Sequence, residues 1–209
     1  MLPLSLELSR LRVALIGNGA AAVCRLVWLD EAGAKALRVF AATPSPELAK
    51  SAAGRLVRHW PGVAALRRAQ LVFIADVPES ERDSLAQAAR HAGAILHVED
   101  APSLSDVHAP AVLRQGDLTL AISTCGAAPG LAAELKTFLG GIFGPEWQSR
   151  LDEISALRQS GRAAGADHQM VRQMIAKRLA DAGWLKPPAR KAARNRNQPE
   201  KQRGGRSCL

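Results

Sequence analysis

The chain is 209 residues long, 47% hydrophobic and 22% charged, which suits one sizeable water-soluble core with a smaller appendage. No apolar run approaches the roughly 18 residues of a membrane span, and the opening "MLPLSLELSRLRVALIG" has neither the basic start nor the small-residue cleavage site of a signal peptide. The widely spaced Cys24, Cys125 and Cys208 exclude a disulfide framework and a zinc cluster, so a reducing cytoplasm is the expected setting; the formal charge of +9 is concentrated at one end rather than spread over a binding face.

In chain order, "LRVALIG" (residues 11–17) predicts a short strand of the kind buried in a parallel sheet. "GNGAAAVCRLVWLDEAG" follows as a glycine turn and a helix, with Ala21, Cys24, Val27, Trp28 and Glu31 at helical spacing and Gly33 as its stop. A second strand, "ALRVFA" (36–41), leads to the helix "SPELAKSAAGRLV", capped by Ser45 with Pro46 in its first turn. "QLVFIAD" (70–76) is a third strand, "SERDSLAQAARHAG" a helix with Ser80 as cap and Gly93 as stop, and "AILHVED" (94–100) a fourth strand. "LTLAIST" (118–124) alternates into a further strand, "GLAAELKTFLGGIF" is a helix beyond Pro129, and residues 147–185 are helical only. Strands alternating with helices over the first ~125 residues predict a doubly wound, Rossmann-type α/β sheet. No repeat of solenoid length interrupts it. Residues 186–209, "KPPARKAARNRNQPEKQRGGRSCL", carry eight Lys/Arg against one Glu and almost no large apolar side chain. They are expected to form a disordered basic tail, the only part suited to nucleic acid.

The chemistry concentrates at the first strand. "VALIGNGAAA" gives Gly17-x-Gly19-x-x-Ala22 between a strand and a helix. The first glycine allows the tight turn, the second lets a pyrophosphate approach the backbone, and Ala22 allows close packing of helix on strand. The helix N-terminus adds free N–H groups and a partial positive charge. Gly17, Asn18, Gly19, Ala20 and Ala21 are therefore candidate contacts of a dinucleotide, joined by Ala42 and Thr43 after the second strand and Ala75 and Asp76 after the third. No acid stands at the end of the second strand, and no Arg for a 2′-phosphate, so NAD over NADP is a lean only. Tyrosine is absent, which excludes a catalytic Tyr/Lys pair. A proton acceptor must be His, Asp, Glu or Lys beyond the carboxyl ends of the strands, and "VED" places Asp100 there.

Several motifs in one order are similar to the precorrin-2 dehydrogenase / sirohydrochlorin ferrochelatase family, the NAD-dependent part of siroheme synthase. They are the Pro-Leu opening with its glycine turn, "DEAGA", and "VEDAPSLSDVHAPAVLRQGDLTLAISTCGAAPGLAAELK". The resemblance implies a homodimer with a Rossmann domain over residues 1–109, a dimerisation region over 110–145 and a helical domain over 146–185. It implies that NAD+ takes hydride from precorrin-2 to give sirohydrochlorin, and that Fe2+ is inserted as a second substrate. Asp100 lies on the family's acid/base aspartate, and Thr124 on a hydroxyl residue that lines its tetrapyrrole cleft, with Ser123 beside it as a further substrate-binding candidate. Arg114, Arg25 and Lys136 are candidates for the substrate's carboxylates. Asp106 and His108 are too few for a metal centre, and no resident metal is expected. The uroporphyrinogen methylation of the fused enzyme is expected to come from another protein.

The sequence departs from the family at three places. Asp76-Val77 replace its usual Ala-Thr-Asp/Asn turn, Cys125 replaces a glycine, and Ala133-Glu134 stand where an arginine is common. These departures keep open the alternative of a non-catalytic member that holds NAD or a tetrapyrrole.

Overall fold

In the computed structural model, which describes residues 2–185, the chain divides into two units. The first comprises residues 2–109 with Cys125–Ala127, the second residues 110–124 and 128–185. The basic tail lies outside the described residues.

The first unit is built on a parallel sheet of five strands in the order β3-β2-β1-β4-β5. They are β1 (Arg12–Ile16), β2 (Ala36–Phe40), β3 (Leu56–Val57), β4 (Leu71–Ile74) and β5 (Ile95–Val98). In β4 all four residues are buried, as expected of a strand covered on both faces. The strand order reverses between β1 and β4, and that switch point is where open α/β sheets leave a ligand crevice. Helix α1 (Ala20–Glu31), α2 (Pro46–Ala52), the single turn α3 (Val63–Leu66) and α4 (Glu79–His91) make the crossovers. One side of the sheet buries Leu15, Leu26, Leu29, Val39 and Phe73, the other Ile16, Phe40, Val72, Leu85 and Leu96.

Local chemistry sets the boundaries. Ser45 accepts the Leu48 N–H at 3.1 Å with Pro46 as the first helical residue, the expected start of α2. Gly33 and Gly93 take positive φ of 81° and 78°, and each closes its helix with a paired turn back to the last carbonyls. Two expectations need correcting. Helix α4 starts at Glu79 with Pro78 in the cap position, so Ser80 lies inside it; the fixed φ of Pro78 and the acids Glu79 and Glu81 on the positive helix end begin it earlier. Helix α1 turns inward the face of Ala22, Val23, Leu26 and Leu29 rather than that of Ala21, Cys24 and Val27. Val27 is 47% exposed. The glycine turn fixes this phase by seating Ala22 against Gly17.

The strand at 118–124 does not join the parallel sheet. It is β7 (Leu118–Ile122), paired antiparallel with β6 (Ala111–Gln115) through a Gly116-Asp117 turn in the second unit. Gly116 has φ +60°, and a Cβ there would fall 1.7 Å from the Gln148 Oε1. That oxygen accepts the Asp117 N–H at 2.6 Å. Around this hairpin stand α5 (Pro129–Gly140), α6 (Trp147–Ala163) and α7 (His168–Ala182). The Arg150 guanidinium stacks on Trp147 and Trp184 at 4.9 and 5.4 Å. Among the described residues, no helix is long and apolar enough to cross a membrane.

The segment after β5 returns along its free edge. Asp106 N–H donates to the Leu96 carbonyl at 2.8 Å, the Leu96 N–H donates to the Asp106 carboxylate at 3.0 Å, and Val98 N–H donates to Ser105 Oγ at 2.9 Å. An edge strand is thereby covered by local chain rather than left open. One carboxylate oxygen of Asp106 is thus engaged by the β5 backbone. Beneath the segment, His97 is buried, its Nδ1 is 3.0 Å from the Val107 carbonyl, and its ring meets Phe73 edge-on at 5.4 Å.

Burial pushes the His97 imidazole below its ordinary value near 6.5, opposed by the Val107 carbonyl; Arg25 and His108 push the same way as burial and Glu99 against it. The unfolded chain therefore binds this proton more readily, and stability falls as pH drops below about 6.5. Urea midpoints measured between pH 8 and pH 5 should decline, and His97→Phe should flatten that decline.

Candidate active site

The glycine turn is held between two strands. Gly17 N–H donates to the Phe40 carbonyl of β2 at 2.9 Å, while on the other side Ala75 N–H donates to the Ile16 carbonyl at 2.9 Å and Asn18 N–H to the Asp76 carbonyl at 3.2 Å. A Cβ on Gly17 would lie 1.8 Å from the Ala75 carbonyl oxygen and 2.8 Å from the Ala22 Cβ. No side chain fits that gap. Asn18 ties in the loop after β2: its Oδ1 accepts the Thr43 N–H at 3.1 Å, and its carbonyl accepts the Ser45 N–H at 2.7 Å. Gly17, Asn18, Gly19, Ala20 and Ala21 after β1, Ala42 and Thr43 after β2, and Ala75 and Asp76 after β4 therefore stand at the carboxyl ends of three neighbouring strands. The result is a backbone cradle opening onto the α1 N-terminus, the form of site that suits a dinucleotide diphosphate. The polar lining of the loop after β2 is neutral, since Ala42 and Thr43 bring no acid.

Beyond β4 and β5 lies a pocket of about 240 Å³, lined by Ala21, Ile74, Asp76, Val77, Arg82, Val98, Glu99 and Asp100. Ile74 and Val98 are register partners, and each strand is followed two residues later by an aspartate in the left-handed region: Asp76 at φ +61° and Asp100 at φ +57°. The matched geometry turns both carboxyl-bearing residues toward the same pocket. Asp100 is exposed there, able to exchange a proton with a bound molecule.

Three features of the site were not foreseen. Arg82, on the second turn of α4, is the only cation in the pocket lining among the described residues. Glu99 lines the pocket too, and its carboxylate accepts from the Arg25 Nη2 at 2.9 Å. Arg25 is only 7% exposed and stacks against Trp28 and Phe73 at 5.1 and 5.6 Å. It is thus engaged in holding the β5 end rather than available to substrate carboxylates. The pair is joined by a single contact, since the Arg25 Nε and the Glu99 Oε2 are buried without a partner. Arg25 and Glu99 are 74 positions apart, and no local pattern signals such a pairing. The basic residue following Ser80-Glu81 at the helix start was a sequence cue for Arg82.

Arg114, Ser123 and Thr124 belong to the second unit. Arg114 is half-buried on β6 opposite Thr119. Thr124 Oγ1 accepts the Ala128 N–H at 3.2 Å, bracing the turn into α5. Within that turn Cys125 is exposed, with φ +54° ahead of Gly126 at +80°. A glycine would adopt this conformation without strain. Among the described residues no group of three or more His, Cys, Asp or Glu could hold a metal ion.

A family model for NAD(P)-binding domains matches residues 4–111. The siroheme synthase of Methylococcus capsulatus is 33% identical over 139 residues, which is 65% of this chain and 29% of that protein. Siroheme synthase 1 of Halorhodospira halophila is 33% identical over 170 residues, 79% of this chain and 35% of that protein. The chain thus spans about a third of the length of these relatives. Among solved structures, SirC, a precorrin-2 dehydrogenase, superposes with a TM-score of 0.69 at 21% identity, covering 89% of this chain and 93% of that one. The fold is shared.

Breaking the Arg25–Glu99 pair from either side should be unequal. Glu99→Leu strands a buried guanidinium and should cost about 3–5 kcal/mol of stability. Arg25→Met should cost less, because the Glu99 side chain is 28% exposed. The double variant should recover most of the Glu99→Leu loss. Urea unfolding of the three variants measures the cycle.

Proposed function

Because the chain belongs to the NAD(P)-binding family and is similar to siroheme synthases over most of its length, we propose that it is a precorrin-2 dehydrogenase, converting precorrin-2 to sirohydrochlorin with NAD as oxidant. The observation that carries this reading is the juxtaposition, within one unit, of the glycine cradle with the Asp100 pocket beyond β5. Gly17, Asn18, Gly19, Ala20 and Ala21 would hold the diphosphate through backbone N–H groups, and Ala42 and Thr43 would border the adenosine ribose. Ala75 and Asp76 would flank the nicotinamide side. The residues fit such a group in that Gly17 and Gly19 carry the turn to the α1 N-terminus as bare backbone, with the place beside Gly19 taken by the exposed Asp76 carboxylate. When bound, NAD supplies the hydride acceptor.

The chain's own task is the proton. Dehydrogenation removes a hydride and a proton from neighbouring atoms of the macrocycle, and the hydride needs an acceptor separate from the proton's. The Asp100 carboxylate takes the proton, its strand-end geometry presenting an exposed side chain to the pocket. Arg82, on the pocket wall, would engage a carboxylate of the tetrapyrrole. Insertion of Fe2+ as a second substrate fits the same residue, since two pyrrole N–H protons must leave as the ion enters. The expected setting is the cytoplasm.

We further propose that the working form is a homodimer assembled through the second unit. On α5, Leu131, Leu135 and Phe138 are 54%, 38% and 65% exposed and follow one another at helical spacing. Most of the β6–β7 hairpin is only half-buried, so an apolar face of this unit is open for a second copy. Light scattering should give twice the chain mass for the wild type and a monomer for Leu135→Glu/Phe138→Glu.

The function is tested with purified protein, NAD+ and precorrin-2 generated anaerobically, following NADH and the sirohydrochlorin spectrum together. The reading requires both to rise in equal amounts. Asp100→Asn should lower the rate by about 10²–10⁴-fold while leaving NAD+ affinity unchanged. NAD+ binding without turnover by the wild type would identify a non-catalytic binder instead.

A further inference from the structure

Resting on the NAD reading above, we propose that Asp76 is the residue that sets this chain's affinity for its dinucleotide, because its carboxylate holds the position at the α1 N-terminus that the cofactor diphosphate must take.

The geometry is specific. Asp76 Oδ2 accepts the Ala21 N–H at 3.3 Å, so one of the free donors of the helix end is already engaged by a carboxylate. The same oxygen lies 2.3 Å from where a Cβ would stand on Gly19, and Asp76 Cγ lies 3.0 Å from it. The second glycine therefore keeps open a space that the chain fills with its own anion. The backbone delivers it there: Asp76 has φ +61°, and its carbonyl accepts the Asn18 N–H at 3.2 Å. A swing of the side chain can vacate the place at the cost of the Ala21 contact alone, because Asp76 is exposed and its carbonyl bond to Asn18 stays in place.

The electrostatics make the two occupants exclusive. The partial positive charge of a helix N-terminus favours one anion, whether side chain or phosphate. Two like charges within about 4 Å repel, and the neighbouring pocket already holds the Asp100 carboxylate, Glu99 being paired with Arg25. A diphosphate therefore enters only as the Asp76 carboxylate leaves, and the lost Ala21 contact is charged against binding. The effect is selective: it weakens ligands that carry the diphosphate and leaves an uncharged adenosine untouched.

Calorimetry with NAD+, ADP-ribose and adenosine on the wild type, Asp76→Ser and Asp76→Asn tests this. Serine keeps a small acceptor at the turn without the charge, and asparagine keeps the shape, so a folding defect in one leaves the other to be read; thermal unfolding monitors both. Binding of NAD+ and ADP-ribose at least 10-fold tighter in a folded variant, with adenosine unchanged, supports the proposal. Equal or weaker NAD+ binding in both variants, with the wild type binding normally, overturns it while leaving the NAD reading intact. Absence of NAD+ and ADP-ribose binding in all three proteins overturns both.

Discussion

Everything the first unit does depends on the contact between Gly17 and the Ala75 carbonyl. Chain leaving β1 must pass between the ends of β2 and β4, and the hydrogen bonds to Phe40 and from Ala75 leave no room for a side chain. Because Gly17 has only a hydrogen there, α1 starts close to the sheet and Ala22 seats against the turn. That phase decides which α1 residues reach the core, brings Arg25 under the β5 end, and aims the first N–H groups of the helix along the crevice at the topological switch point. A cofactor cradle, a core packing pattern and an ion pair thus follow from one close approach.

The other constraint is electrostatic. Pocket and cradle share a wall built from the ends of β4 and β5, and that wall is acidic: Asp76, Glu99 and Asp100. Each acid has a different environment. Glu99 is neutralised by a buried guanidinium, Asp76 leans on the helix end, and Asp100 faces the pocket with neither support. On the proposed reading the three similar side chains take separate work: Glu99 holds the strand end, Asp76 tunes the cradle and Asp100 moves a proton. Buried pairs such as Arg25–Glu99 contribute little net stability compared with apolar packing, but removing one partner is costly, which makes the pair a firm support for the residue that follows it.

Much of this was legible in the sequence because local physics dictated it. The apolar runs that became β1, β2, β4 and β5, the glycine turn, the Ser45-Pro46 start of α2 and the Gly33 and Gly93 stops are each encoded within a few residues. The grouping of Gly17–Ala21 with Thr43, Ala75 and Asp76 followed from their common place at strand ends. What escaped notice depended on tertiary contacts. Strand β3 has two residues and α3 one turn, too short for any periodicity to register, and both exist because neighbours hold them. The pairing of β7 with β6 instead of the parallel sheet was set by the Gly116-Asp117 turn against Gln148, a partner 31 positions away from Asp117. The inward face of α1 was misjudged because Cys24, Val27 and Trp28 are more apolar in appearance than Arg25, yet packing against the glycine turn overrides side-chain hydrophobicity. A buried arginine is the residue that hydrophobic patterning is least able to place.

The central claim is that the β1–α1 turn and the ends of β4 and β5 form one ligand-binding surface. Amide hydrogen exchange by mass spectrometry, with and without saturating NAD+, tests it most directly. The account predicts that added protection concentrates in peptides covering residues 17–22, 42–45 and 75–77, with peptides covering 98–101 changing with them. Protection confined to other parts of the chain, or none at all where NAD+ demonstrably binds, would contradict it.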